Sequence, residues 1–147
     1  MKNLTLTVFV ILFSFITLSQ TFVFDVKEII SYKAKGDLSY NETKQNSYWE
    51  TPLEPIDCKY EINIDKKTST FYHNGVKINT LNIIDINKNG DVYVIKIKDY
   101  NVFNSSDIII TTYTINVKEM SFYMSWFVPK TNVTRAQFHT KIKSYIK

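Results

Sequence analysis

Residues 58–64 read Cys-Lys-Tyr-Glu-Ile-Asn-Ile, and this stretch decides the fold class. Its apolar and polar side chains alternate, which places Cys58, Tyr60, Ile62 and Ile64 on one face. Successive side chains of a strand point to opposite faces, whereas helical faces repeat every 3.6 residues. The period of two therefore predicts a half-buried β-strand.

The same period recurs along the chain, between short turns. Asn74-Gly75 separates two alternating segments and is a strong hairpin signal, because both central positions of the tight turn need positive φ. Asn89-Gly90 marks a second hairpin. The predicted strands are 22–33, 58–64, 68–73, 76–86, 91–98, 108–117 and 120–128, with further short strands at 38–43 and near residue 48. Sequential hairpins favour an antiparallel meander, so we expect a mainly β fold, a barrel or sandwich of about seven or eight strands.

The C-terminal segment changes its pattern. Its apolar residues lie at roughly helical spacing, and Thr134 with Gln137 three residues later resembles a capping box. These apolar residues are Ala136, Phe138, Ile142, Tyr145 and Ile146. The pattern predicts a short C-terminal helix packed on the sheet, with a last strand as the alternative.

Composition indicates one globular domain. The chain has 147 residues, is 44% hydrophobic, and contains 3 Gly, 3 Pro and 1 Cys. It is too apolar to be disordered, and a single cysteine cannot form an internal disulfide framework. We expect Cys58 to be a small buried apolar residue, and the histidines at 73 and 139 to have surface or capping roles, because they lack ligand spacing.

The N-terminus has the order of a signal peptide. Met1-Lys2-Asn3 is a short basic start, residues 4–18 are mostly apolar with an unbroken apolar run from Val8 to Phe13, and Ser19 is a small residue at the exit. We predict a signal peptide at 1–19 and a single β-rich domain at 20–147, secreted or extracytoplasmic, with no stable membrane span after cleavage. An uncleaved anchor is the alternative, because residues 4–24 together are just long enough to cross a bilayer if the polar Ser19, Gln20 and Thr21 are tolerated.

Charge argues against nucleic acid as a partner. The formal net charge is +4, and Arg135 is the only arginine among 18 basic residues. Arginine is the preferred side chain for bidentate contacts to phosphates and base edges. The lysines are scattered, which is typical of a solvated surface.

A polar stretch around the second hairpin partly resembles a calcium loop. Asp85, Asn87, Asn89 and Asp91 offer oxygen ligands at alternate positions, but the position that should close such a site with a carboxylate is Lys96. We interpret the stretch as a hairpin turn, and we expect neither a metal nor another cofactor.

Aromatic residues supply the candidate binding contacts. The strand 120–128 is apolar on both faces, so both faces should be covered, or one should line a cavity or an exposed patch. Trp126 and Phe127 come from this strand, and Tyr48 and Trp49 from the irregular region before residue 55. These four residues are the predicted ligand contacts.

No motif in the sequence identifies a reaction. The sequence favours an exported binding or interaction protein, which takes a small apolar ligand in a barrel or a protein or glycan on its surface. A small extracellular hydrolase is one alternative, because Glu50, Glu54 and Asp57 are clustered carboxylates. A structural envelope protein without a ligand is the other alternative.

Overall fold

A computed structural model describes residues 20–101 and 104–146, and the signal peptide predicted at 1–19 lies outside these residues. The strands are β1 (Thr21–Lys35), β2 (Trp49–Glu50), β3 (Glu54–Asn63), β4 (Thr68–His73), β5 (Val76–Asn89), β6 (Val92–Asn101), β7 (Asn104–Asn116), β8 (Ser121–Val128) and β9 (Val133–Ile146). A short helix, α1 (Tyr40–Gln45), follows β1, and a single 3₁₀ turn (Pro129–Thr131) joins β8 to β9.

The strands form a closed antiparallel barrel. Each of β3 to β8 pairs with the next strand, and β1 pairs with both β3 and β9, which closes eight strands into a ring. The short β2 extends one edge of β1, where Lys33 pairs with Trp49. The predicted antiparallel meander is confirmed, and it is a barrel and not a sandwich.

The predicted C-terminal helix is wrong. Residues 133–146 form β9, which pairs with β1 over 13 positions, from Phe22 opposite Ile146 to Lys35 opposite Val133. The Thr134 side chain forms no capping box, because its hydroxyl accepts from Leu38 N–H at 3.0 Å and donates to Gly36 C=O at 2.7 Å.

The strand predicted at 38–43 is also wrong, because α1 occupies most of this segment. Ser39 caps the helix, since its Oγ accepts from Glu42 N–H at 3.4 Å while the Glu42 carboxylate accepts from Ser39 N–H at 2.9 Å. Such a capping box satisfies N–H groups that the first turn of a helix leaves open. The local capping signal therefore prevails over the weak alternation of this segment.

Apolar and aromatic side chains fill the barrel interior. Phe24 stacks on Phe122 with ring centroids 4.8 Å apart, and both are fully buried. Tyr60 contacts Phe122 edge to face at 5.0 Å and Tyr113 at 6.1 Å. Aromatic pairs of this geometry add about 0.5–1.5 kcal/mol each to the burial of their surface.

The hairpin signals are confirmed, one of them with a shift. Asn74 has φ 50° and Gly75 has φ 74°, as the predicted tight turn requires. In the second hairpin Asn89 pairs with Val92, so the central residues are Gly90 and Asp91, one position later than predicted. Gly90 alone has positive φ there, at 59°.

Candidate functional site

A stripe of polar side chains runs down the inner face of β9 and β1. His139 is buried among core aromatic rings, which fixes the inner face of β9, and Gln137 and Arg135 follow at alternate positions. Their cross-strand partners on β1 are Ser31, opposite Gln137, and Lys33, opposite Arg135. The inner face of an eight-stranded barrel is normally apolar where it is packed, so this stripe stands out.

The upper end of the stripe lies between the two tryptophans of the chain. Trp126 packs against the core and pairs with Arg135, and Lys33 pairs with Trp49. Cross-strand partners share a face, so one row of inner-face residues crosses four strands. The row is Trp126, Arg135, Lys33 and Trp49.

This row runs from the packed interior towards solvent at Trp49, and we call this region of the barrel the mouth. Ile97 begins the row on β6 and is fully buried, Thr111 is 9% exposed, and Trp49 at the other end is 39% exposed. Because strands of a closed barrel are staggered, one row passes gradually from the packed interior to solvent. The row therefore offers both covered and accessible groups.

Short-range contacts hold the mouth in place. The Lys33 ammonium lies 3.6 Å from the centroid of the Trp49 ring. Below it, Gln137 Nε2 donates to Ser31 Oγ at 3.4 Å, and Ser31 N–H donates to Thr51 Oγ1 at 2.9 Å. A cation over a ring face and a chain of hydrogen bonds both restrict side-chain freedom, so these groups are partly preorganised.

His139 lies at the lower end of the stripe, and the surface or capping role expected for it is wrong. Its side chain is 2% exposed, stacks on Phe122 at 4.6 Å and contacts the edge of Tyr60 at 5.4 Å. Nδ1 lies 3.2 Å from Phe122 C=O, and Nε2 has no hydrogen-bond partner among the described residues. Burial disfavours the charged form and lowers the pKa of His139 to about 4.

Two other polar groups of the interior stay neutral. Cys58 is 2% exposed, and burial, with the nearby Asp57 carboxylate, raises its thiol pKa to about 11. The prediction that Cys58 is a buried core residue is confirmed. Burial likewise raises the pKa of Tyr113, while a hydrogen bond with Ser69 acts in the opposite direction.

The four predicted ligand contacts separate into two groups. Trp49 and Trp126 share the inner row. Phe127 follows Trp126 and therefore lies on the outer face of β8, and Tyr48 precedes β2 with 59% of its side chain exposed. Trp126 and Phe127 both contact a groove of about 370 Å³. Much of its lining belongs to the outer wall, including Lys96, Ile108, Ile110, Thr112 and Ser125.

The clustered carboxylates do not converge. Glu50 pairs with Tyr32 and Glu54 with Ile29, which lie on opposite faces of β1. Asp57 forms an ion pair with Lys27 at the surface. A glycosidase needs two carboxyl groups facing each other across a cleft, and this arrangement does not supply that pair from these three residues.

The calcium-like stretch is mostly extended. Asp85, Asn87 and Asn89 lie in β5, and Asp85 is 4.0 Å from the Lys96 ammonium. An extended strand spreads alternate side chains about 6.6 Å apart, so their oxygens do not surround one cation. Asp91 lies in the turn that follows.

Two comparisons, with family models and with curated proteins, give no match. Across residues 20–101 and 104–146, no helix is long and apolar enough to cross a membrane. In the same residues no group of three or more His, Cys, Asp or Glu side chains could hold a metal ion.

Sequence reasoning missed the polar stripe, although a signal for it exists. Arg135, Gln137 and His139 alternate with Ala136 and Phe138, which is a period of two. Apolar residues are usually assumed to face the core, which would place Ala136 and Phe138 inside and the three polar residues outside. The structure shows the reverse arrangement. Ala136 and Phe138 instead pack on the outer wall beneath α1.

Proposed function

We propose that this chain is an exported binding protein that takes a small ligand with an apolar body at the mouth of its barrel. The observation that carries the proposal is the polar stripe of the inner face, bordered by Trp126 and Trp49. Ligand sites are typically concave and largely apolar, with a few convergent polar groups that fix orientation. Export rests on the charged start and apolar stretch of residues 1–19.

Exposure and hydrogen-bonding capacity support the placement of the ligand. Trp49 and Trp126 are only partly buried, so their rings keep surface that a ligand can cover. At the lower end of the stripe, His139 Nε2 has no hydrogen-bond partner within the part of the chain that the structure describes. Buried polar atoms usually have a partner, which makes such a nitrogen unusual in a packed interior.

A titration with the neutral fluorophore N-phenyl-1-naphthylamine tests this proposal. We expect saturable binding of one molecule per chain, with quenching of tryptophan emission, because both tryptophans lie in the mouth row. Trp49→Phe and Trp126→Phe should each weaken binding by about three- to tenfold, since each removes part of an aromatic contact.

Ile110→Ala is the matched control on the outer wall, because Ile110 is 41% exposed and lines the outer groove. It should leave the affinity unchanged. Loss of binding in Ile110→Ala with none in Trp49→Phe would move the ligand to the outer groove, which Trp126 also lines. No binding to the wild-type protein would reject the mouth as a site for small apolar ligands.

A further inference from the structure

His139 presents a hydrogen-bond acceptor to the interior of the barrel. Its Nδ1 lies 3.2 Å from the carbonyl oxygen of Phe122, and a carbonyl oxygen can only accept a hydrogen bond. Nδ1 therefore carries the proton, and the other nitrogen of a neutral imidazole then has a lone pair. Nε2 is that acceptor, and across residues 20–101 and 104–146 it has no hydrogen-bond partner.

The surroundings of His139 keep the imidazole neutral and hold it in place. The ring stacks on Phe122 at an interplanar angle of 6°, and the Tyr60 ring contacts it edge to face. Burial lowers the pKa of His139 to about 4, so the ring is uncharged and Nε2 remains an acceptor at neutral pH. Because a buried acceptor without a donor is unfavourable, a donor supplied by a ligand would stabilise the complex.

The layer of side chains between the mouth and His139 is adaptable. Gln137 lies between Arg135 and His139 on the inner face of β9. Its cross-strand partners are Met124 on β8 and Ser31 on β1. Methionine is flexible, serine is small, and the bond from Gln137 Nε2 to Ser31 Oγ is long, at 3.4 Å, and therefore weak. A slender ligand can displace the Gln137 side chain and reach His139, about 13 Å of extended strand from Arg135.

We infer that the ligand of the mouth is a neutral alcohol with a slender apolar body, whose hydroxyl group enters first and donates a hydrogen bond to His139 Nε2. This inference rests on the proposed function and adds the chemical class of the ligand. The rings of Trp126 and Trp49 then contact the trailing part of the apolar body in the mouth row. A carboxylate is disfavoured at the inner end, because it cannot donate to a lone pair and its charge is costly to bury among aromatic rings.

Two isomers that differ in their capacity to donate test this class. Decanol and nonyl methyl ether have the same atoms and similar apolar bodies, but only the alcohol has a hydroxyl group. We expect decanol to displace N-phenyl-1-naphthylamine from the wild-type protein with about five- to tenfold higher affinity than the ether, because its hydrogen bond to Nε2 forms away from water. Decanoate, the anion of the same length, should bind more weakly than decanol.

His139→Phe removes the acceptor and keeps a ring against Phe122. The readout is the ratio of the alcohol affinity to the ether affinity, because a general change in the barrel affects both ligands. In this variant the two affinities should lie within about twofold of each other, since the hydroxyl group has no acceptor there. His73→Gln replaces a histidine at an exposed position and should keep the ratio of the wild-type protein.

Nitrogen NMR of the wild-type protein reports the contact directly, without any substitution. The free protein should show the proton of His139 on Nδ1 and a lone pair on Nε2. Decanol should move the Nε2 resonance to lower frequency, as hydrogen bonding to an imidazole lone pair does, and the ether should leave it unchanged. A proton on Nε2 in the free protein would overturn the inference, because this nitrogen would then be a donor.

The outcomes distinguish this inference from the proposal beneath it. If N-phenyl-1-naphthylamine binds at the tryptophans and decanol has no advantage over the ether, the ligand class is wrong and the mouth remains a site. If the advantage persists in His139→Phe, or if decanoate binds more tightly than decanol, the inference fails. If N-phenyl-1-naphthylamine does not bind to the wild-type protein, the proposed function fails together with the inference.

Discussion

At the scale of single residues, the inner face of β9 departs from the rule that polar side chains face water. His139 is enclosed by Phe122 and Tyr60, and only its Nδ1 has a hydrogen-bond partner among the described residues. A sequence shows that His139 and Gln137 alternate with apolar neighbours, but it does not show which of the two faces meets the core. Trp126 and Trp49 could be chosen as contacts because large aromatic side chains are frequent in binding sites, whereas their common row depends on strand register.

The buried His139 predicts that acid destabilises the fold. Its folded pKa of about 4 is below the ordinary value of 6.5, so between these pH values the unfolded chain binds a proton that the folded chain does not. The contribution of neutral His139 to the free energy of unfolding is therefore complete above about pH 6.5 and is lost as the pH falls towards 4. Each pH unit in this interval should remove up to about 1.4 kcal/mol from the free energy of unfolding.

Urea unfolding of the wild type and of His139→Phe between pH 7 and pH 4 measures how much His139 contributes to the pH dependence of the free energy of unfolding. Phenylalanine keeps a ring against Phe122 and cannot titrate, so the difference in slope between the two proteins belongs to His139. His73→Gln, at an exposed position, should behave like the wild type. Equal slopes for the wild type and His139→Phe would contradict the prediction.

At the scale of elements, β9 shows why the spacing of apolar residues alone does not distinguish a strand from a helix. The alternation of Ala136 and Phe138 fits a strand, yet with Ile142 they also approximate helical spacing. Their outward position becomes favourable only because α1 covers that part of the wall, where the Tyr40 ring packs against Tyr123 with centroids 4.2 Å apart. The Ser39–Glu42 capping signal of α1 is present in the sequence, but the surface that α1 covers is created by strands distant in the chain.

Tyr40 is therefore expected to anchor α1 to the barrel. It is 8% exposed and contacts Tyr32, Tyr123 and Phe138, and burial raises its pKa. Tyr40→Ala should reduce the free energy of unfolding by about 2–4 kcal/mol, since it empties a packed site.

Tyr48→Ala is the comparison, because Tyr48 is 59% exposed, and it should cost less than about 0.5 kcal/mol. Chemical denaturation gives both values, and hydrogen exchange should show faster exchange in α1 of Tyr40→Ala alone. Similar losses in the two variants would mean that the contact between α1 and the wall contributes little.

At the scale of the whole molecule, the alternating segments and the hairpin signals were sufficient to predict the β class and the meander. Closure was not predictable, because it depends on β1 pairing with β9, and Phe22 and Ile146 are more than a hundred residues apart. The mouth shares this limit: Lys33, Trp49, Trp126 and Arg135 come from four strands that only closure brings into one row. Local patterns specify strands and turns, whereas the site depends on pairs that are distant in sequence.

Closure predicts that residues 133–147 are required for folding. Their removal would leave β1 and β8 with unpaired edges along most of their length and would uncover Phe122 and Ile29, which His139 and its neighbours cover. The shortened chain should lose its cooperative thermal transition and associate through its open edges, as circular dichroism and size-exclusion chromatography would show. A monomer with the transition of the wild-type protein would contradict this expectation.

The pairing of β1 with β9 also fixes when the chain can fold. Translation releases β1 early and β9 more than a hundred residues later, so the ring stays open until the ribosome has added residues 133–146. Distant pairings of this kind also form slowly, because the long intervening chain must first be ordered. β1 therefore lacks its β9 partner throughout the synthesis of β2 to β8, and that edge stays unpaired until the last strand is complete.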